Sequence, residues 1–336
     1  MRRLEITAYG SLDSALRFRD VPQPVPGAND LLVKLRAAGI NPIDYKIVQG
    51  ALRAFHRLDF PAPIGFDGSG VVEQLGSSVR GFAPGDHVYL RMTRDRTGSI
   101  AEYVAVDAGC AAHAPQTISA QQAAAIPLVA LTTVQGLVDR ARARAGQRIL
   151  IHAGSGGLGT FAVQYAKRVL GLDVVSTTSS KNADFVRALG ADQVIAYDRD
   201  DYRKLDADFD IVFDTLGGRH TAASFALLKR GGTVVSVAGP PDWHFAAQVH
   251  AALPLAAGMW VAGMPMELRA RLKGGRYFRY LTESRGDQLQ QIADVIDAGK
   301  VRPVIDREFA FGQSIAALQY LAAGHARGKV VIAMSG

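Results

Sequence analysis

The chain is predicted to be an α/β protein: a β-rich first part, then a doubly wound parallel sheet, then a mixed return segment. Three observations carry this. The first ~120 residues read as short β-branched and aromatic runs between turns. Beyond them, strands that are apolar throughout alternate with helices. At the start of that alternation, "ILIHAGSGGLGTFAVQYAKRVLG" sets four closely spaced glycines where a strand becomes a helix.

Taken in order, "DLLVKLRAAGI" alternates at period two, "PGAND" and "APGD" are turns, and "SGVVEQLG" and "HVYL" are further strands. From about Gln121, "AQQAAAIPLVALTTVQGLVDRARA" is helical by composition, with Pro127 opening a new helix or kinking an existing one. Next come strand "RILIHAG", helix "GLGTFAVQYAKRVLG", strand "DVVSTT" and helix "KNADFVRALG". These are followed by "QVIAY", "DIVFDTLG", helix "RHTAASFALLKRGG" and "TVVSVAG". Apolar strands separated by helices belong to a parallel sheet covered on both faces. From Gly286 the tail adds helix "DQLQQIADVIDAG", then "VRPVIDREF", another helix and the strand "GKVVIAM".

Bulk properties bound the function. A length of 336 residues suggests two domains, and 48% hydrophobic against 21% charged residues is ordinary globular composition. The net charge of +7 does not imply nucleic-acid binding, because the basic residues are scattered and no basic block carries interleaved aromatics. A modest positive field serves equally to collect an anionic cofactor. The start, "MRRLEITAYG", has no apolar run, so no signal peptide is expected. The single cysteine, Cys110, leaves no disulfide framework and no Cys-rich zinc site. Together these point to the cytoplasm. Ala246–Met266 is long enough for a bilayer but holds His250, two prolines and many alanines. It is expected to be a buried helix or an apolar lid rather than a membrane span.

Gly154, Gly156 and Gly159 spell G-x-G-x-x-G. Among 35 glycines the pattern alone is weak, but here a strand precedes it, a helix follows, and a second strand comes at the right distance. That context is the dinucleotide-binding arrangement, with a pyrophosphate at the helix N-terminus. An NAD enzyme is expected to carry Asp or Glu at the end of the second strand. This chain has Thr177, Thr178, Ser179, Ser180 and Lys181 there, and Asp173 lies at the wrong end. Hydroxyls and a lysine suit a 2′-phosphate, so the expected cofactor is NADPH.

With "NPIDYKIVQG", "IGFDGSGVVEQLG", "PGDHV", "HAGSGGLG" and "FDTLGG" in one order, the chain resembles the medium-chain dehydrogenase/reductases. More narrowly, it is similar to the zinc-free quinone oxidoreductase branch, with its zeta-crystallin-like proteins and alkenal/enone reductases. The resemblance implies a GroES-like catalytic domain from residues 1–124 and 286–336, a Rossmann domain from residues 125–285, an active site in the cleft between them, and a homodimer. Zinc-dependent relatives carry a cysteine and a His-Glu pair where this chain has Asn41, Phe66 and Asp67. Asn and Phe cannot replace a thiolate and an imidazole as ligands, so no metal is expected.

Without a metal, the expected chemistry is hydride transfer to an acceptor that needs little activation: a quinone or an α,β-unsaturated carbonyl, both small hydrophobic molecules. The resemblance places substrate orientation in Asn41, Asp44, Tyr45 and Lys46. Asn41 alternatively fixes a turn before Pro42, Tyr45 packs, and Asp44 and Lys46 pair with each other or with the cofactor ribose. On the cofactor side it implies Thr132 near the nicotinamide and Ser155, Gly156, Gly157 and Leu158 at the pyrophosphate. Thr178, Ser179 and Lys181 fall around the 2′-phosphate and Tyr197 at the adenosine. Leu216, Gly217, Ala238 and Gly239 line the nicotinamide pocket, and Lys329 reaches the cofactor from the return segment. Residues 240–286 depart most from the short members of the branch; their methionines suit hydrophobic acceptors, and "YFRYL" equally suits dimer packing at a sheet edge. The alternatives are reduction of an enoyl-thioester double bond, or NADPH binding with little turnover.

Overall fold

The computed structural model describes residues 1–54, 57–206 and 208–334. The chain forms two compact units: Met1–Leu131 with Glu283–Gly299 and Pro303–Gly336, and Thr132–Thr282 with Lys300–Arg302.

In chain order, the elements that matter below begin with β1 (Asp30–Ile40), α1 (Pro42–Val48), β2 (Asp67–Leu75), β3 (His87–Arg91), β4 (Tyr103–Asp107) and β5 (Ala111–His113). The second unit contributes β6 (Arg148–Ile151), α2 (Gly157–Arg168), β7 (Asp173–Thr178), β8 (Gln193–Ala196), β9 (Phe209–Asp214), β10 (Leu228–Ser236), α3 (Leu253–Leu272) and β11 (Arg276–Arg279). The return segment adds β12 (Ile305–Ala310) and β13 (Lys329–Ala333).

The first unit is built on a seven-stranded sheet ordered β12-β13-β1-β2-β3-β5, with β4 pairing β1. Its core holds Leu31, Val33, Leu35, Val88, Leu90, Val330 and Ile332. Register is what positions the site. Val330 opposes Ile40 across the antiparallel β13–β1 pair, so Lys329 arrives beside Asn41. Asp67 lies opposite Gly39 on one side and Arg91 on the other. Residues far apart in sequence thus meet at one end of one sheet.

The second unit is a six-stranded, wholly parallel sheet ordered β8-β7-β6-β9-β10-β11. The order reverses between β6 and β9, and such a switch point opens a crevice at the carboxyl ends of the strands. Helix α2 buries Phe161, Ala162, Val163, Tyr165 and Ala166.

Two expectations need correction. The helix read over "RHTAASFALLKRGG" ends at Ser224; a 3₁₀ turn follows and β10 already begins at Leu228. Leu227 and Leu228 are buried in the sheet's own core, and Gly231, at φ +80°, is in a conformation no helix uses. Residues 246–266 are not one helix and are only partly buried. The chain breaks at Val249–Ala252, with His250 at φ +51°, and Pro254 then opens α3. Only Met259, Gly263, Met266 and Ala270 of α3 are buried. Among the described residues, no helix is long and apolar enough to cross a membrane.

Candidate active site

At the β6–α2 junction each glycine answers to a different constraint. A Cβ on Gly154 would lie 2.2 Å from the Ser176 hydroxyl oxygen, and one on Gly159 would lie 2.2 Å from the Ala153 carbonyl oxygen. Those two glycines let the helix close onto the strand. Gly156 is different: the nearest atom to a Cβ there is 3.4 Å away, so its bareness is not required by packing. It is the N-cap of a twelve-residue helix, and Ser155, Gly156, Gly157 and Leu158 are all partly exposed. The Gly156 N–H itself donates to the Ala153 carbonyl at 3.0 Å; the N–H groups of the first helical turn that follows, with room for close approach, fit a pyrophosphate.

Around this turn the second unit gathers most of the predicted cofactor residues. The Thr178 and Ser155 hydroxyls share a hydrogen bond of 2.8 Å, and Asn182 donates to Ser155 at 3.3 Å. Tyr197 donates its N–H to the Thr178 carbonyl at 2.9 Å and is itself 63% exposed. Ser179 is half-buried and Lys181 exposed on the same strand end. Here the sequence reading missed Asp198, whose carboxylate accepts from the Ser180 N–H at 2.8 Å and hydroxyl at 2.6 Å. Those bonds hold its pKa below the usual carboxylate value.

The ends of β9 and β10 are tied together by Asp214, which the sequence reading also missed. One of its oxygens accepts from the N–H groups of Leu216 and Gly217, both at 3.0 Å. The other accepts from Thr221 at 2.5 Å and Ser236 at 2.8 Å. Ser236 in turn receives the N–H groups of Ala238 at 3.2 Å and Gly239 at 2.7 Å. One buried carboxylate thus shapes both predicted nicotinamide loops, leaving Leu216 and Ala238 at the surface. Thr132 is buried, bonded through its hydroxyl to Thr282 at 2.6 Å, while its carbonyl accepts from Tyr280 at 2.5 Å. His152, at the end of β6, is buried, and desolvation pushes its pKa down to about 4, so it stays neutral.

The first unit holds a cluster of another kind. Asn41 is 1% exposed and caps α1; its N–H donates to Asp44 at 2.6 Å. Its side-chain Nδ2 donates to Asp67 at 2.9 Å, and its Oδ1 accepts from Lys329. The Lys329 ammonium also donates to the Ile40 carbonyl at 3.1 Å and lies 3.5 Å from Asp67. The second Asp67 oxygen accepts from the Leu128 N–H at 3.1 Å. Arg91 completes the group, with its guanidinium over the Phe66 ring and a 2.8 Å bond to Ser284.

These charges are out of water. Burial pushes the carboxyl of Asp44 up to about 7 and raises that of Asp67; it lowers both Lys329 and Arg91. One Asp44 oxygen, Oδ1, is buried without a hydrogen-bond partner. Tyr45 packs half-buried against the core and Lys46 is exposed, so Lys46 and Asp44 do not pair. Lys329, expected from the resemblance to reach the cofactor, is drawn into this cluster. The β13–β1 register encloses it, and its ammonium is spent inside the first unit.

A zinc ion does not fit this donor set. Phe66 offers no ligand, and an ammonium already sits on Asn41 and beside Asp67, where it would repel a divalent cation. Among the described residues, no group of three His, Cys, Asp or Glu side chains is placed to hold a metal.

Comparison with known proteins agrees with this architecture. Residues 27–116 match the alcohol dehydrogenase GroES-like domain family, and residues 189–332 match the zinc-binding dehydrogenase family. The 2-methylene-furan-3-one reductase of Solanum lycopersicum is 33% identical over 99% of this chain and 79% of its own length. The chloroplastic NADPH-dependent alkenal/one oxidoreductase of Arabidopsis thaliana is 34% identical over 96% of this chain and 77% of its own. The quinone oxidoreductase structure from Coxiella burnetii superposes with a TM-score of 0.86 at 30% identity, covering 100% of this chain and 99% of that one.

Proposed function

The chain belongs to the medium-chain dehydrogenase/reductase superfamily, and from that premise we propose that it is an NADPH-dependent oxidoreductase reducing quinones or α,β-unsaturated carbonyls without zinc. The observation that carries the metal-free reading is Lys329, an ammonium enclosed with Asn41 and Asp67 where a metal-dependent relative needs ligands.

NADPH, when bound, supplies the hydride. The chain's own residues hold and orient it. Gly156 and Gly157, with Ser155 and Leu158, receive the pyrophosphate at the start of α2, and Thr178, Ser179 and Lys181 receive the 2′-phosphate, with Tyr197 against the adenosine. Leu216, Gly217, Ala238 and Gly239, shaped by Asp214, face the nicotinamide. In the first unit, Asn41 keeps one Nδ2 hydrogen beyond its bond to Asp67, and that N–H is the donor to the acceptor's carbonyl oxygen. Conjugation spreads the charge that hydride addition creates, so the acceptor needs a hydrogen bond rather than a Lewis acid. Tyr45 and Lys46 frame this loop, and Asp44 fixes it through the Asn41 N–H.

A homodimer fits this reading, since β11 is a sheet edge with an open side. A cytoplasmic location fits the single, buried, unpaired Cys110.

The test is NADPH oxidation by the purified protein offered an ortho-quinone and, separately, an unsaturated aldehyde. Turnover with one of them, reduced at least about tenfold by Asn41→Ala, is expected. Tight NADPH binding with no turnover of either would overturn the reading. It would leave an enoyl-thioester substrate or a nucleotide-binding role.

A further inference from the structure

The oxidoreductase reading makes no use of the outer face of α3. Met259, Gly263, Met266 and Ala270 turn inward and are buried. On the opposite side Trp260, Met264, Leu268 and Leu272 recur every four residues, from 44% to 78% exposed, and Leu253 extends the stripe at 87%. Spacing by four is one face of a helix, so the stripe is continuous for roughly 28 Å at 1.5 Å per residue. From Leu253 to Met266 no charged residue interrupts it. A helix that needs one apolar face to cover its own sheet therefore has two.

Charge appears only where the helix ends. Arg269 and Arg271 occupy the last turn and Lys273 follows. The Gly231 N–H donates to the Lys273 carbonyl at 2.9 Å, which brings the exposed Lys229 and Arg230 alongside. Against these five basic residues stand Glu267 and Asp210, and Asp210 is held by Lys229 at 3.0 Å.

We propose that α3 docks the protein on the surface of a lipid bilayer containing anionic lipid, lying in the interface with its apolar stripe among the acyl chains and its basic end on the headgroups. Charge complementarity selects this occupant. A second copy packed on the stripe with antiparallel helices sets the basic end against a first turn that holds no acidic residue, and a parallel arrangement sets it against itself. An anionic surface answers the stripe and the basic end together. Trp260, half-exposed in the middle of the stripe, is the residue type that favours the membrane–water boundary. This inference concerns where the protein sits and stands apart from the reaction it catalyses.

Trp260, on the stripe, and Trp243, in the short helix that precedes α3, are the chain's two tryptophans and both are exposed, so intrinsic fluorescence reports the surface. The full-length protein is mixed with vesicles of phosphatidylcholine alone, or of phosphatidylcholine with phosphatidylserine. Sedimentation, emission shift and quenching by brominated acyl chains are then measured. Binding to the anionic vesicles with a blue shift is expected. Binding should weaken about tenfold or more at high salt, and again in Leu268→Ser/Leu272→Ser, whose NADPH affinity stays unchanged. No vesicle binding, or equal binding by the serine variant, would overturn the proposal. So would concentration-dependent self-association that the serine variant abolishes and vesicles do not compete with, which would assign the stripe to a second copy.

Discussion

At the crevice of the second unit, recognition is prepared by leaving side chains out: glycines, hydroxyls and backbone N–H groups at the start of α2 wait for a charged guest. At the sheet end of the first unit the charges are already inside, two carboxylates and two cations withdrawn from water and held against one another. The first arrangement is stable while bare and gains energy from its ligand. The second must be internally balanced before any substrate arrives, because an uncompensated buried charge costs several kcal/mol. The two units should therefore fail differently when perturbed.

The largest effect should come from Gly159→Val. Its side chain would meet the Ala153 carbonyl, and about 4 kcal/mol or more of destabilisation is expected by denaturant melting. Gly156→Ala, three residues earlier in the same motif, should leave the melting temperature within about 2 °C and weaken NADPH binding roughly tenfold by titration. If both substitutions destabilise alike, the distinction between packing glycines and ligand glycines is wrong.

Next is Lys329→Met, which strips the cation from Asp67 and Asn41. About 3–5 kcal/mol of stability should be lost at neutral pH, and Asp67→Asn in the same chain should restore part of it. NADPH affinity should be untouched, in contrast to the glycine variants.

Asp44 gives a smaller, pH-dependent signature. It faces Asp67, Lys329 and Arg91, and its folded pKa is raised from 3.8 to about 7. The native state therefore holds the proton more tightly than the unfolded chain. The stability this contributes is complete below pH 3.8 and is lost as pH rises through about 7. Asp44→Asn should remove that component, seen as a smaller stability loss between those pH values.

The smallest pair lies at the 2′-phosphate. Lys181→Ala should weaken NADPH about five- to tenfold and leave NADH unchanged, whereas Asp198→Asn should improve NADPH binding by a few-fold. An equal effect of Lys181→Ala on both cofactors would remove the 2′-phosphate from this strand end.

The same contrast explains what was legible in the sequence. A strand, a glycine turn and a helix are local, so Gly154, Gly156 and Gly159 announced the turn at the head of α2, and Thr178 and Lys181 were visible at the strand end proposed for the 2′-phosphate. Asp198 was hidden because it reaches Ser180 from the next strand. Asp214 stood in plain view in "FDTLGG", yet nothing local says that one carboxylate ties together loops ending two strands. In the first unit, Asn41 and Asp44 were visible as a pair but Lys329 was not their neighbour until β13 paired with β1. Arg91 entered through the β2–β3 register in the same way. The apolar content of α3 suggested a buried helix or a lid, but composition alone does not say that only one of its two apolar faces is covered.

In the proposed function the Lys329–Asn41–Asp67 constellation stands where zinc-dependent relatives hold a metal, and reduction would proceed without one. The most direct measurement is NADPH-dependent turnover of a reactive quinone or enone by protein stripped with a strong chelator and checked for zinc by elemental analysis. Turnover equal to that of untreated protein, and unchanged on adding zinc, is the predicted result. Loss of turnover on stripping, restored by stoichiometric zinc, would contradict it.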